Sequence, residues 1–390
     1  MPHLRKRFII QQFEKLHRFW PVTGVLGLRQ VGKSTFLRDL LHLPNFVTLD
    51  DEDVREEAKA SAKVFLGKLQ KPCIIDEIQK VPKLFDAIKS TVDKKRIPGQ
   101  WIVTGSVLFQ SLAAVRESLT GRIGLIFLHP MTFAELYKLD FRPIKNILAS
   151  KQIPRISITD FSLQLGAGGL PVPAFMRDVN HQQLYFKSWL NTLLLQDAAR
   201  VHGRAYDADL GMQILQKMGQ VLCRGEHPQL TSFKVHARTL KKYLHTFETL
   251  FLLRRFSVHE AGVGKDFWLP TDAGFAHYLM HYASGAETNL SLARIAVLNE
   301  IMANQEYQGN TLSPIYYKSQ HGSVVDFVWH NTPIMIIAEN IATSKTGWIE
   351  KPLLGAMKKL NAKQGIIVAP IDRPHIEKTG ISIVPWSYWS

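Results

Sequence analysis

Gly27-Leu28-Arg29-Gln30-Val31-Gly32-Lys33-Ser34 matches every fixed position of the pattern G-x-x-x-x-G-K-[ST]. The apolar run Val22-Thr23-Gly24-Val25-Leu26 before it reads as a short buried strand, and residues 34–41 after it read as a helix. A glycine-rich turn between strand and helix lets successive backbone N–H groups face one anion, with the positive end of the helix behind them. Gly27, Arg29, Gln30, Val31, Gly32, Lys33, Ser34 and Thr35 are therefore the candidate cradle for a nucleoside triphosphate, ATP. Lys33 would reach its β- and γ-phosphates and the Ser34 hydroxyl would ligate Mg²⁺.

Two further apolar runs end in polar residues. Pro72-Cys73-Ile74-Ile75-Asp76-Glu77 reads as a central parallel strand whose C-terminal end carries two carboxylates. Asp76 is expected in the Mg²⁺ shell and Glu77 beside the attacking water. A transferase that must exclude water has no use for such a base, so the pair favours hydrolysis. Trp101-Ile102-Val103-Thr104-Gly105-Ser106 is the next strand, and Thr104 is the candidate sensor of the γ-phosphate or the water, with Ser106 as second choice. Arg122, in Thr120-Gly121-Arg122 before the strand 123–128, is placed to project from the domain edge and complete a neighbour's site; Arg116 competes for that role. The acidic run Asp50-Asp51-Glu52-Asp53 reads as a helix start or as a metal-sensing corner.

These segments resemble the AAA+-like P-loop ATPases of bacteria and archaea that carry the C-terminal domain DUF4143. The likeness rests on Gly27 to Thr35, Ile75-Asp-Glu-Ile-Gln79, Thr104-Gly-Ser106 and Leu119-Thr-Gly-Arg122. It continues in Gly168-Gly169-Leu170-Pro171, Leu195-Gln-Asp197, the segment 239–250 and Thr271-Asp-Ala-Gly274. The resemblance implies an α/β P-loop NTPase with a parallel sheet of the ASCE type, followed by a winged-helix module and a PD-(D/E)XK nuclease-like α/β domain.

Composition sets further bounds. At 390 residues, 46% hydrophobic and 21% charged, the chain is expected to fold as two or three domains. Its two cysteines, Cys73 and Cys223, suggest neither a disulfide scaffold nor a zinc site, and a reducing cytoplasm is expected. Residues 1–7 are basic, but Phe8-Ile9-Ile10 runs straight into Gln11-Gln12, and no apolar run approaches about 18 residues, so neither export nor a membrane span is expected. The net charge of +15 makes nucleic acid, DNA above all, the first candidate partner, with an anionic membrane surface or simply a basic soluble protein as the alternatives.

The charge is concentrated. Residues 181–260 hold eleven Lys/Arg against six Asp/Glu, and within them 230–250 reads as a helix-turn-helix. Leu240, Leu244, Phe247 and Phe251 recur at helical spacing, leaving Arg238, Lys241 and Lys242 on the outer face for nucleic acid. Residues 251–256 and 265–270 are expected to form the wing. Further on, Glu300, Asp326 and Glu339 follow the spacing of nuclease acids, but Ile341 stands where that chemistry needs lysine, and Lys345 is the alternative cation. A degenerate nuclease site is expected.

The expected organisation is an ATPase over 1–140, a helical connector over 141–203, a winged helix over 204–285 and the nuclease-like part over 286–390. The expected function is Mg²⁺-dependent ATP hydrolysis driving a nucleic-acid-associated switch, possible partners being DNA, another protein or further copies of the chain. The rival readings are an ATP-gated DNA nuclease and an ATP-regulated protein scaffold.

Overall fold

The computed structural model describes residues 4–108, 119–144, 155–281, 286–310, 312–339, 347–377 and 379–389. The chain divides into two compact units. The first comprises residues 1–129, 249–251 and 306–310, and the second the remainder.

In the first unit, β1 (Val22–Leu26), β2 (Asn45–Thr48), β3 (Cys73–Asp76), β4 (Trp101–Gly105) and β5 (Ile123–Phe127) form one sheet in the order β2-β3-β4-β1-β5. Every pairing is parallel. β1, β3 and β4 are buried at every position, whereas β5, at the edge, alternates between buried and half-buried residues. That contrast explains why the central strands are unbroken apolar runs. The helix Lys83–Lys94 lays Leu84, Phe85, Ile88 and Val92 against Ile75, Trp101 and Val103, each such side chain contributing about 1.5–3 kcal/mol on burial. Because β4 lies between β1 and β3, the loop after β1 and the two carboxylates after β3 flank the end of β4.

The helix expected at 34–41 is only partly regular. Lys33–Thr35 form an α-turn, and Phe36–Leu40 widen into a π-turn closed by Leu41 N–H to Phe36 O at 3.1 Å. Of the acidic run, Asp51 caps the helix Glu52–Ala60 by accepting from Asp53 N at 3.0 Å and Val54 N at 3.2 Å, and Asp50 pairs with Lys80. That is the helix-start alternative. Cys73 is buried in β3, which pushes its thiol up to about 11.

The second unit holds two sheets. β6 (Leu253–Val258), β7 (Phe267–Pro270), β8 (Ile315–Lys318) and β9 (Val324–Val325) are ordered β7-β6-β8-β9. β10 (Phe327–Trp329), β11 (Thr332–Ile336), β12 (Gly365–Ala369), β13 (His375–Ile376) and β14 (Ile381–Pro385) are ordered β10-β11-β12-β14-β13. The first stretch of the first unit runs to His129, and the segment after it is bonded within the second: Met131 N–H to Gly169 O at 2.7 Å and Ile144 N–H to Asn304 Oδ1 at 3.0 Å. The antiparallel hairpin β6–β7 occupies the place expected for a wing, but β6 also pairs in parallel with β8, so one sheet crosses the boundary expected near 285.

Asp272 organises the glycine-rich segments of this unit. It caps the helix Ala273–Met280 through Phe275 N at 2.9 Å and accepts from Gly169 N at 2.7 Å. Gly168 has φ of +71°, and a Cβ there would stand 2.4 Å from Asp272 Oδ1. Gly168→Ala is therefore expected to cost about 2 kcal/mol or more, read as a lower urea midpoint for the second unit.

Candidate functional site

The loop from Gly27 to Ser34 crosses the C-terminal end of the parallel sheet of the first unit, with Leu128 N–H bonding Leu26 O at 2.7 Å beside it. A Cβ on Gly27 would lie 2.4 Å from the Leu128 carbonyl, so the first glycine is required by close backbone approach. Lys33 is buried and its ammonium donates to the Gly27 and Leu28 carbonyls at 3.1 and 3.2 Å. Val31 is buried in the loop, Arg29, Gly32 and Thr35 are half-buried, and Gln30 is exposed with φ of 61°.

Asp76 ends β3 facing Ser34, whose hydroxyl donates to its two oxygens at 3.2 and 3.0 Å. The Thr104 hydroxyl also donates to Asp76. Burial pushes the Asp76 carboxyl above its ordinary range, opposed by the Thr104 and Ser34 hydrogen bonds and the charge of Lys33. Ser34 and Asp76 offer hard oxygen donors side by side, the donor chemistry that Mg²⁺ takes, and so they fit such an ion. Glu77 follows in a left-handed conformation, φ 54° and ψ 42°. Its N–H donates to Thr104 Oγ1 at 3.2 Å, and its carboxylate accepts from Ser106 Oγ at 3.0 Å and from Gln79 Nε2.

The Thr104 hydroxyl, the candidate sensor, bonds both acids. A hydroxyl has one proton, and here it goes to Asp76 while the oxygen accepts from Glu77 N. Thr104 anchors both acids. Arg122 stands at the far end of the sheet from the loop. It precedes the first residue of β5, Ile123, which pairs with Val22 at the start of β1, roughly 16 Å along the strand from the phosphate loop. Its guanidinium is held by Asp93 at 2.6 and 3.0 Å, so it takes no part in the site of its own chain. Arg116 lies outside the described residues.

The helix Ala237–Thr249 buries Leu240, Tyr243, Leu244 and Phe247 and exposes Arg238, Lys241 and Lys242 on one cationic face. The C-terminal acids do not gather. Glu300 is buried and accepts from Phe133 N at 2.7 Å, Glu339 is exposed, and Asp326 accepts from Ile336 N at 2.7 Å. Asp326 Oδ1 also lies 2.7 Å from Arg294 Nε and 3.3 Å from His227 Nε2, and the Arg294 charge with the His227 contact holds its carboxyl below the usual range despite burial. His227, buried, is shifted down. Among the described residues no group of three or more His, Cys, Asp or Glu is arranged to hold a metal. Of the three acids, two make bonds within the fold and the third faces solvent. Ile341 and Lys345 lie outside the described residues.

Sequence reasoning missed two residues. Arg7 is buried and donates to Val31 O of the loop at 3.1 Å and to His129 O at 2.6 Å. Its neighbours in a basic terminus disguised it as surface charge. Gln79 is buried against Glu77 and Ser106, and its place two residues beyond the carboxylate was the only signal.

Residues 20–137 match the family model described as an AAA domain. Two curated relatives, the uncharacterized proteins Rv2008c of Mycobacterium tuberculosis and Mb2031c of Mycobacterium bovis, are each 26% identical over 255 residues, 64% of this chain and 52% of theirs. The chain spans about half the length of these relatives. Among solved structures, the Walker-type ATPase PABY2304 of Pyrococcus abyssi is similar at a TM-score of 0.41 and 13% identity, covering 70% of this chain and 94% of that one. No helix among the described residues is long and apolar enough to cross a membrane. The parallel sheet and the glycine-rich loop give residues 20–137, the stretch that the AAA model matches, a P-loop fold.

Proposed function

We propose that the chain binds ATP on the loop from Gly27 to Thr35 and hydrolyses it, and that the cycle drives a switch that engages DNA through the second unit. The observation that carries the hydrolytic reading is the cluster of Ser34, Asp76, Thr104 and Glu77 at adjacent strand ends. Lys33 leaves the loop carbonyls for the β- and γ-phosphates, which offer it full negative charge. Ser34 and Asp76 hold Mg²⁺, which would neutralise phosphate charge when bound. Glu77 accepts the proton of the attacking water. The DNA reading is supported by the exposed Arg238, Lys241 and Lys242 and by the chain's +15 charge. In an oligomer, Arg122 would act on a neighbour only after leaving Asp93.

Lys33→Ala is expected to abolish ATP-analogue binding. Glu77→Gln should keep ATP bound and slow its hydrolysis by about 10²-fold or more. Phosphate release measured with Mg²⁺ and with EDTA checks both, and full turnover by Glu77→Gln would remove that residue from the mechanism.

Arg7→Ala removes a charge-assisted bond to the loop worth about 1.5–3 kcal/mol, so the dissociation constant of an ATP analogue should rise about 10- to 100-fold. Isothermal titration measures it, and an unchanged constant would leave Arg7 a purely structural bond.

Changing Arg238, Lys241 and Lys242 together to Glu is expected to weaken duplex DNA binding and flatten its salt dependence while leaving DNA-free ATPase activity intact. Equal DNA affinity before and after the change, followed by fluorescence anisotropy at two salt concentrations, would move this face into the protein-contact class.

A further inference from the structure

We propose that Gln79 and Ser106 are positioning residues that aim the Glu77 carboxylate. The inference rests on Glu77 being the general base of the proposed hydrolysis. The three side chains close a triangle. Ser106 Oγ donates to Glu77 Oε2 at 3.0 Å, and Gln79 Nε2 donates both to Glu77 Oε2 and to Ser106 Oγ, the latter at 3.3 Å. Both Gln79 and Ser106 are buried, 6% and 2% exposed.

Hydrogen-bond capacity fixes the direction of each link. The Ser106 hydroxyl has one proton, given to Glu77, so it receives from Gln79 through a lone pair; the Gln79 amide has two protons, one for each neighbour. Both donors converge on Oε2, leaving Oε1 as the oxygen free of these two bonds to take a proton from water. Gln79 sits on a tight turn, Ile78–Lys80, closed by Lys80 N–H to Glu77 O and Val81 N–H to Ile78 O, both 3.0 Å, with Ile78 in the core. The turn cannot yield without disturbing that core.

The orientation of the Gln79 amide follows from the same two bonds. Its Oε1 is buried and has no hydrogen-bond partner among the described residues. The reverse orientation would set the Gln79 carbonyl against the Glu77 carboxylate, two acceptors facing each other. The amide is turned to serve the acid. Neither Gln79 nor Ser106 belongs to the phosphate loop or to the Ser34–Asp76 pair, so their action falls on the chemical step and not on nucleotide binding.

The test is steady-state ATPase kinetics of Gln79→Ala, Ser106→Ala and Ser106→Thr, alone and in a Glu77→Gln background. Gln79→Ala and Ser106→Ala should each lower kcat about 10- to 100-fold with KM within about twofold. Ser106→Thr keeps the hydroxyl and should stay within about threefold of wild type. In the Glu77→Gln background Gln79→Ala should add less than about twofold, because the group it acts through is already lost. If Gln79→Ala does not fold, the Ser106 pair decides alone. Full kcat in Gln79→Ala or Ser106→Ala, a loss confined to KM, or losses that multiply with Glu77→Gln would overturn the inference while leaving Glu77 as the base. Wild-type turnover by Glu77→Gln would overturn both.

Discussion

Two acids on consecutive residues, Asp76 and Glu77, must sit at one strand end against their mutual repulsion, and the strand ends of the first unit are arranged around that constraint. Their proximity helps to push the Asp76 carboxyl up. The backbone answers by turning left-handed at Glu77, which sends the second side chain away from the line of β3. Thr104 then ties the two together with one hydroxyl, donating to the first acid and accepting from the backbone of the second. Each carboxylate acquires its own donors, Ser34 and Thr104 for one, Ser106 and Gln79 for the other. The division separates an oxygen set suited to a metal from one suited to a proton.

Strand order makes the stitch possible. With β4 between β1 and β3, the hydroxyls that end β4 lie beside both the phosphate loop and the acid pair. Were β1 and β3 adjacent, no strand end would stand between the loop and the acid pair. The buried Arg7 bonds the loop from beneath, joining Val31 to His129 just past the end of β5, so the loop is held on the side away from the acids as well. A loop fixed at both edges presents its N–H groups without first having to order them.

What the sequence made legible follows a physical division. The strands of the first unit and the loop were readable because a doubly covered parallel sheet demands unbroken apolar runs and a phosphate cradle demands glycine at fixed spacing. Ser34, Asp76 and Glu77 stood at the ends of those runs. Their hydrogen-bond partners were less readable, since which oxygen a hydroxyl serves depends on register between strands distant in sequence, as with Thr104 and Asp76. Gln79 and Arg7 were hidden for the same reason, a polar side chain in a polar neighbourhood giving no hint of burial. The edge position of Arg122 was legible, but its capture by Asp93 from another helix was not.

The second unit shows how a catalytic spacing arises from architecture. Asp326 lies between β9, which belongs to the sheet β7-β6-β8-β9, and β10, which belongs to the other sheet. A chain that leaves one sheet for another interrupts its ladder and strands backbone donors, and the Asp326 carboxylate takes one of them, Ile336 N, from β11. An ionised group buried at such a corner needs compensation, which Arg294 and His227 supply from elements of the same unit. Glu300 does comparable work in the middle of a long helix by holding Phe133 N. An acid on a helix followed by an acid between two strands thus serves two separate joints here, Glu300 at the start of the helix Phe133–Leu136 and Asp326 at the corner where the chain passes from one sheet to the other.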